Sequence, residues 1–219
     1  MNAPTLVPSY SIREEVANSV THGVGIVLAI AGLAVLVAFA TLHGDIWHIV
    51  ACSVFGATLI LLYTSSTLYH SLPIPRLKPL LRALDHSAIF LLIAGTYTPF
   101  TLVNLRGPWG WSLFATIWTL GISGIILRLF LKGRLHGLVV ALYVAMGWVA
   151  LVAAVPLVQR MAPEGLAWLV GGGVAYTLGA VVFHFDNRVR YAHFVWHLFV
   201  LAGSACHVMA ALRQGPGLA

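Results

Sequence analysis

Two histidines four residues apart, in His193-Phe-Val-Trp-His197, stand on one helical face about one turn from each other. That spacing lets two imidazoles share a metal ion, and it equally suits a pair of satisfied core histidines; alone it leaves both readings open. Ser66-x-x-x-His70 closes one long apolar run, and Asp85 opens the next. Three neutral imidazoles and a carboxylate match the donor set of a zinc site. Ser66 falls one turn from His70 on the same face. Asp85 has a plainer reading too, as an interfacial carboxylate paired with Arg82 at i−3.

These residues need elements that bring them to one level. The chain has 219 residues, of which 60% are hydrophobic and 8% charged, and its mean hydropathy is +0.93. A soluble domain carries roughly a quarter of charged residues, so most of this surface faces lipid. The apolar runs are long and continuous, which selects helices of about 20 residues over the short alternating strands of a barrel. The expected fold is all-α, a seven-helix transmembrane bundle in a single domain over residues 1–219, with a short tail over 1–19. The predicted spans are Val20–Thr41, Ile46–Ser71, Leu84–Leu105, Trp109–Phe130, Gly137–Val158, Leu166–His184 and Tyr191–Leu212. The first twenty residues lack the pattern of a cleaved secretory signal, so the first span is expected to stay as an anchor.

Basic residues orient the bundle. Arg13, Arg76, Lys78, Arg82, Arg128, Lys132, Arg134, Arg188 and Arg190 fall on the side of the N-terminus, against Arg106, Arg160 and Arg213 on the other. Nine against three predicts a cytoplasmic N-terminus and an external C-terminus; the expected location is the plasma membrane. The same asymmetry accounts for the net charge of +6, leaving no need for nucleic acid as a partner. With these directions the second span ends, and the third and seventh begin, at the cytoplasmic boundary. His70, Asp85, His193 and His197 then share one depth.

Other candidates carry less. Of ten histidines, His86, His136 and His184 are expected to be wet at span ends, and His22 begins the first span. His207 lies about 21 Å along the helix from His193 at 1.5 Å per residue, so a packing or hydrogen-bonding role suits it better. Glu14 and Glu15 precede the first predicted span, and Asp45, Glu164 and Asp186 fall in connections. Cys52 and Cys206 give neither a disulfide framework nor a thiolate site. Gly121-Ile-Ser123-Gly124 matches a rhomboid-protease motif, but among 21 glycines small-residue helix packing is the better account.

Taken together, Glu15-x-x-Asn18-x-x-x-His22, Ser66-x-x-x-His70, Leu84-Asp85 and His193-x-x-x-His197 resemble the progestin and adipoQ receptor family, within it the bacterial hemolysin III branch. The resemblance spans nearly the whole chain. It implies seven helices and a zinc ion held by His70, His193 and His197. It also implies that Asp85 contacts a metal-bound water and that Ser66 stands above the site. It links the chain to membrane proteins that include alkaline ceramidases.

Three histidine ligands leave one tetrahedral position open, the arrangement of catalytic zinc. The expected function is therefore zinc-dependent hydrolysis of a lipid amide or ester drawn from the bilayer, in membrane lipid homeostasis, with Asp85 handling a proton and Ser66 supporting it. The competing readings are a non-enzymatic sensor of membrane state with structural zinc, and a hemolysin-type pore former. Proton-coupled transport is a fourth.

Overall fold

A backbone inside a bilayer has no water to bond, so an apolar chain satisfies its own amides as helix. The computed structural model describes residues 10–131, 135–186 and 188–213, and its regular elements there are all helical. They are α1 (Ile12–His43), α2 (Ile46–Ser71), α3 (Lys78–Pro99), α4 (Pro108–Leu131), α5 (His136–Trp148), α6 (Ala154–Arg160), α7 (Pro163–His184) and α8 (Ala192–Leu212). A π-helical turn, Phe100–Asn104, extends α3, and a 3-10 turn, Val149–Ala153, joins α5 to α6. Seven stretches are long and apolar enough to span a membrane, α5 and α6 counting as one. The chain is a multi-pass membrane protein.

Helix ends depart from the expected ones where polar residues act as caps. α1 begins at Ile12, eight residues before the predicted Val20, because Ser11 and Glu14 form a capping box. Glu14 and Glu15 therefore belong to the helix rather than to the tail before it. α3 begins at Lys78 instead of Leu84, with Pro79 inside its first turn, where a missing N–H costs nothing. The fifth span is broken rather than continuous. Pro156 cannot donate to Val152 and its ring crowds that carbonyl. Tyr97 stitches the opening: its hydroxyl donates to the Gly147 carbonyl (2.6 Å) and accepts from the Ala150 N–H (2.8 Å).

The helices close on themselves, α1 packing on both α2 and α8, while α3 lies innermost. Close contact requires small residues at several crossings, two of them on α3. A Cβ on Gly95 would strike Thr58 of α2, and one on Gly124 would strike the Phe90 ring of α3. Gly124 belongs to the rhomboid-like match, whose Ser123 is exposed on the outer surface of the bundle. Packing explains the motif. The outward faces are apolar, with Leu28, Ile30, Ile126, Phe130, Val155 and Leu178 all exposed. Those are lipid-facing positions.

Candidate metal centre

α2 delivers His70 near its end, and α8 delivers His193 and His197 from its first two turns. All three are buried, and one ring nitrogen from each lies within 4.8 Å of the others. The arrangement can hold a metal ion. His70 Nε2 and His193 Nε2 are 3.2 Å apart, close to the ~3.3 Å that a tetrahedral ion with 2.0–2.1 Å bonds imposes on two nitrogens.

The opposite ring edges fix which nitrogens converge. His70 Nδ1 bonds Glu15 Oε2 at 2.6 Å, and Glu15 also takes Lys78 Nζ at 2.9 Å. His193 Nδ1 bonds Asp186 Oδ2 at 3.2 Å. His197 Nδ1 donates to the Asn18 carbonyl at 3.3 Å. Each acceptor holds a proton on Nδ1 and leaves a lone pair on Nε2. Lone pairs facing one another repel unless a cation stands between them. The donor set therefore fits a metal on its own chemistry.

Asp186 lies outside the spans, in the turn before α8, yet it is buried. Burial raises its pKa, but the hydrogen bond from His193, the nearby His193 and His136 rings and the Tyr10 hydroxyl together outweigh it. The carboxyl stays below its ordinary range. Tyr10, just before α1, donates to Asp186 at 3.0 Å and packs on His193 with ring centroids 5.1 Å apart. Burial and the Asp186 charge raise the phenol's pKa, so it remains a donor.

Asp85 is not one of the converging ligands. It is buried in α3, lines a cavity with His193 and His197, and shares its electrostatic surroundings with His193 and the buried Arg82 and Arg128. Its charge neighbourhood includes Arg82, the i−3 partner of the plainer reading, and the carboxyl is buried. Ser66 is fully buried and faces the Asp85 carboxyl, though its hydroxyl completes no hydrogen bond with a described group. The cavity measures about 240 Å³ and is walled mainly by apolar side chains. It extends from Asp85 to Leu105 along the third span, roughly 30 Å at 1.5 Å per residue.

The model of the Haemolysin-III related family matches residues 10–208. The chain belongs to that family. Its similarity to Hemolysin-3 of Bacillus cereus is 46% identity over 194 residues, covering 89% of this chain and 88% of that one. The Hemolysin-3 homolog of Bacillus subtilis (strain 168) is 40% identical over 203 residues, covering 93% and 95%. Human monocyte to macrophage differentiation factor is 30% identical over 204 residues, covering 90% and 82%. In this Haemolysin-III related chain the Glu15, Asn18 and His22 run serves the histidine cluster directly. Glu15 bonds His70, the Asn18 backbone bonds His197, and His22 stacks on His197 with centroids 3.5 Å apart.

By position Glu15 precedes the first expected span and Asp186 falls between two, and only Glu15 belongs to a motif, the run to Asn18 and His22. The i, i+3, i+7 spacing of Glu15, Asn18 and His22 was the available signal, since it puts three polar groups on one face of an apolar helix. Nothing in the sequence pointed to Asp186 or Tyr10. His86, expected to be wet, is buried against Arg128 (3.5 Å), and its carbonyl accepts from Tyr143 (2.8 Å). His207 is a packing residue as expected, donating to the Gly203 carbonyl at 2.8 Å and stacking on Tyr176.

Proposed function

We propose that this protein is a zinc-dependent intramembrane hydrolase of lipid amide or ester bonds. The observation that carries the reading is the convergence of one ring nitrogen from each of three histidines, each ring backed by an acceptor at Nδ1, at one end of a long apolar cavity. His70, His193 and His197 would hold the ion. When bound, zinc supplies a Lewis acid for a carbonyl and for water. Two features favour zinc: the ligands are all imidazole, and they number three, leaving a position open.

The chain's own groups do the rest. The cavity takes the acyl chain and keeps water from the site except where it is used. Asp85 accepts a proton as water adds to the lipid carbonyl, then returns it to the departing amine or alkoxide. The products are a fatty acid and an amine or alcohol. Ser66 faces Asp85, and its hydroxyl is at hand to support the carboxyl or the developing oxyanion. The excess of basic residues at the end of the bundle holding the site supports a cytoplasmic N-terminus and an external C-terminus.

Purified protein incubated with a panel of lipid amides and esters is expected to release fatty acid. His70→Ala and Asp85→Asn abolish release, and only His70→Ala also loses zinc. Stoichiometric zinc with no fatty acid from any member of the panel defeats catalysis. If His70→Ala loses folding together with zinc, the ion is a staple between α2 and α8 and the sensor reading takes over.

A further inference from the structure

His22 is buried in α1, one turn beyond Asn18, and takes no part in the chemistry above. Its ring lies parallel to that of His197, 11° between planes, and meets the Tyr63 ring edge-on at 5.0 Å. Tyr63 is itself held by donating to Ser204 at 2.7 Å. Both His22 nitrogens are buried, and neither bonds a described protein group. A neutral imidazole has one donor and one acceptor, and leaving both unmet in apolar surroundings is costly.

The stack keeps His22 off the metal. An imidazole coordinates in its own plane, and the two planes run side by side 3.5 Å apart at their centroids instead of meeting. His22 is accordingly outside the group of ring nitrogens that converge from His70, His193 and His197. His22 instead lines the cavity beside His193, His197 and Asp85. Among the described residues lining that cavity, it alone has buried side-chain polar atoms with no protein partner.

We propose that His22 is the hydrogen-bonding anchor for the polar group of a single-chain lipid held in the cavity. The group it fits both donates and accepts, as an amide or a hydroxyl does and an ester does not. This rests on the lipid reading of the cavity given above, and it does not require turnover. His22 is a specificity-determining residue: it sets the polar group next to the metal while the chain occupies the apolar length.

Equilibrium binding of radiolabelled oleamide and of octadecane to the metal-stripped, detergent-solubilised full chain tests the assignment. Wild type is expected to bind both. His22→Ala and His22→Phe are expected to lose about tenfold or more in oleamide affinity and to keep octadecane affinity, His22→Phe preserving the aromatic stack. Both variants, reloaded, should hold zinc at the wild-type ratio. Unchanged oleamide affinity in His22→Phe overturns the assignment, and so does loss of zinc or of the folded state in that variant. Failure of wild type to bind either probe overturns the lipid reading of the cavity itself. Binding without hydrolysis would instead sink only the enzymatic proposal.

Discussion

His70 and His193 come from helices more than a hundred residues apart in sequence, and their Nε2 atoms face each other across 3.2 Å while each Nδ1 rests on a carboxylate. Neither nitrogen can donate to the other once both protons are held on the far edges of the rings. A cation is the group that makes this geometry favourable. The carboxylates of Glu15 and Asp186 thus support the centre from behind, since they decide which lone pairs converge.

Metal content should follow the three imidazoles. Wild type is expected to carry one zinc per chain by plasma emission analysis, and single alanine variants of His70, His193 and His197 far less. A variant at His207, outside the cluster, should keep it all. Chelation should also lower the melting temperature, because a site assembled only on folding adds its binding energy to the folded state.

Glu15→Gln and Asp186→Asn are expected to weaken zinc affinity by roughly 10–100-fold each, the usual effect of losing a partner behind a ligand. Asn18→Ala should do less. The atom that holds His197 is the backbone carbonyl of Asn18, which the substitution leaves in place. Competition with a calibrated chelator ranks the three, and an Asn18→Ala loss larger than both others would contradict this account.

Tight helix crossings give a stability test. Gly124→Ala puts a methyl group into the Phe90 ring and Gly95→Ala one into Thr58, each expected to cost about 1–3 kcal/mol as overpacking. Ser123→Ala should change neither stability nor zinc content. Thermal unfolding in detergent compares them, and a strong effect at Ser123 would revive a role for that serine.

Asp45, in the connection between α1 and α2, caps α2 by accepting from the Trp47 N–H (2.9 Å) and pairs with Arg106. The bond from His48 and the Arg106 pairing hold its carboxyl below the ordinary range. Folding lowers this pKa, so the stabilisation is complete above the unfolded value of about 3.9 and fades as pH falls below it toward the folded one. Asp45→Ala should cost about 1 kcal/mol at pH 7, as lost caps do. The gap to wild type should narrow at pH 3. An equal gap at both pH values would show that the charge contributes nothing.

Span number, helical class and the three histidines that converge were legible in the chain itself. Long continuous apolar runs select helix over the alternating strands of a barrel, and an imidazole in such a run is costly enough to announce a purpose. Helix starts were less legible. Ser11 and Glu14 extend α1 by a cap that outweighs local polarity, and Pro79 sits within α3 instead of before it. Pro156 broke the fifth span where hydropathy alone ran on.

Tertiary structure decided the surroundings of the histidines. Asp186 reads as an ordinary turn carboxylate until the α7–α8 connection folds it under His193, and Glu15 as a tail residue until α1 packs on α2. Hydropathy is a one-dimensional property that composition fixes, so spans and ligand types follow from sequence. Hydrogen bonds between residues 55 and 179 positions apart depend on helix azimuth and depth, which only the packed bundle sets.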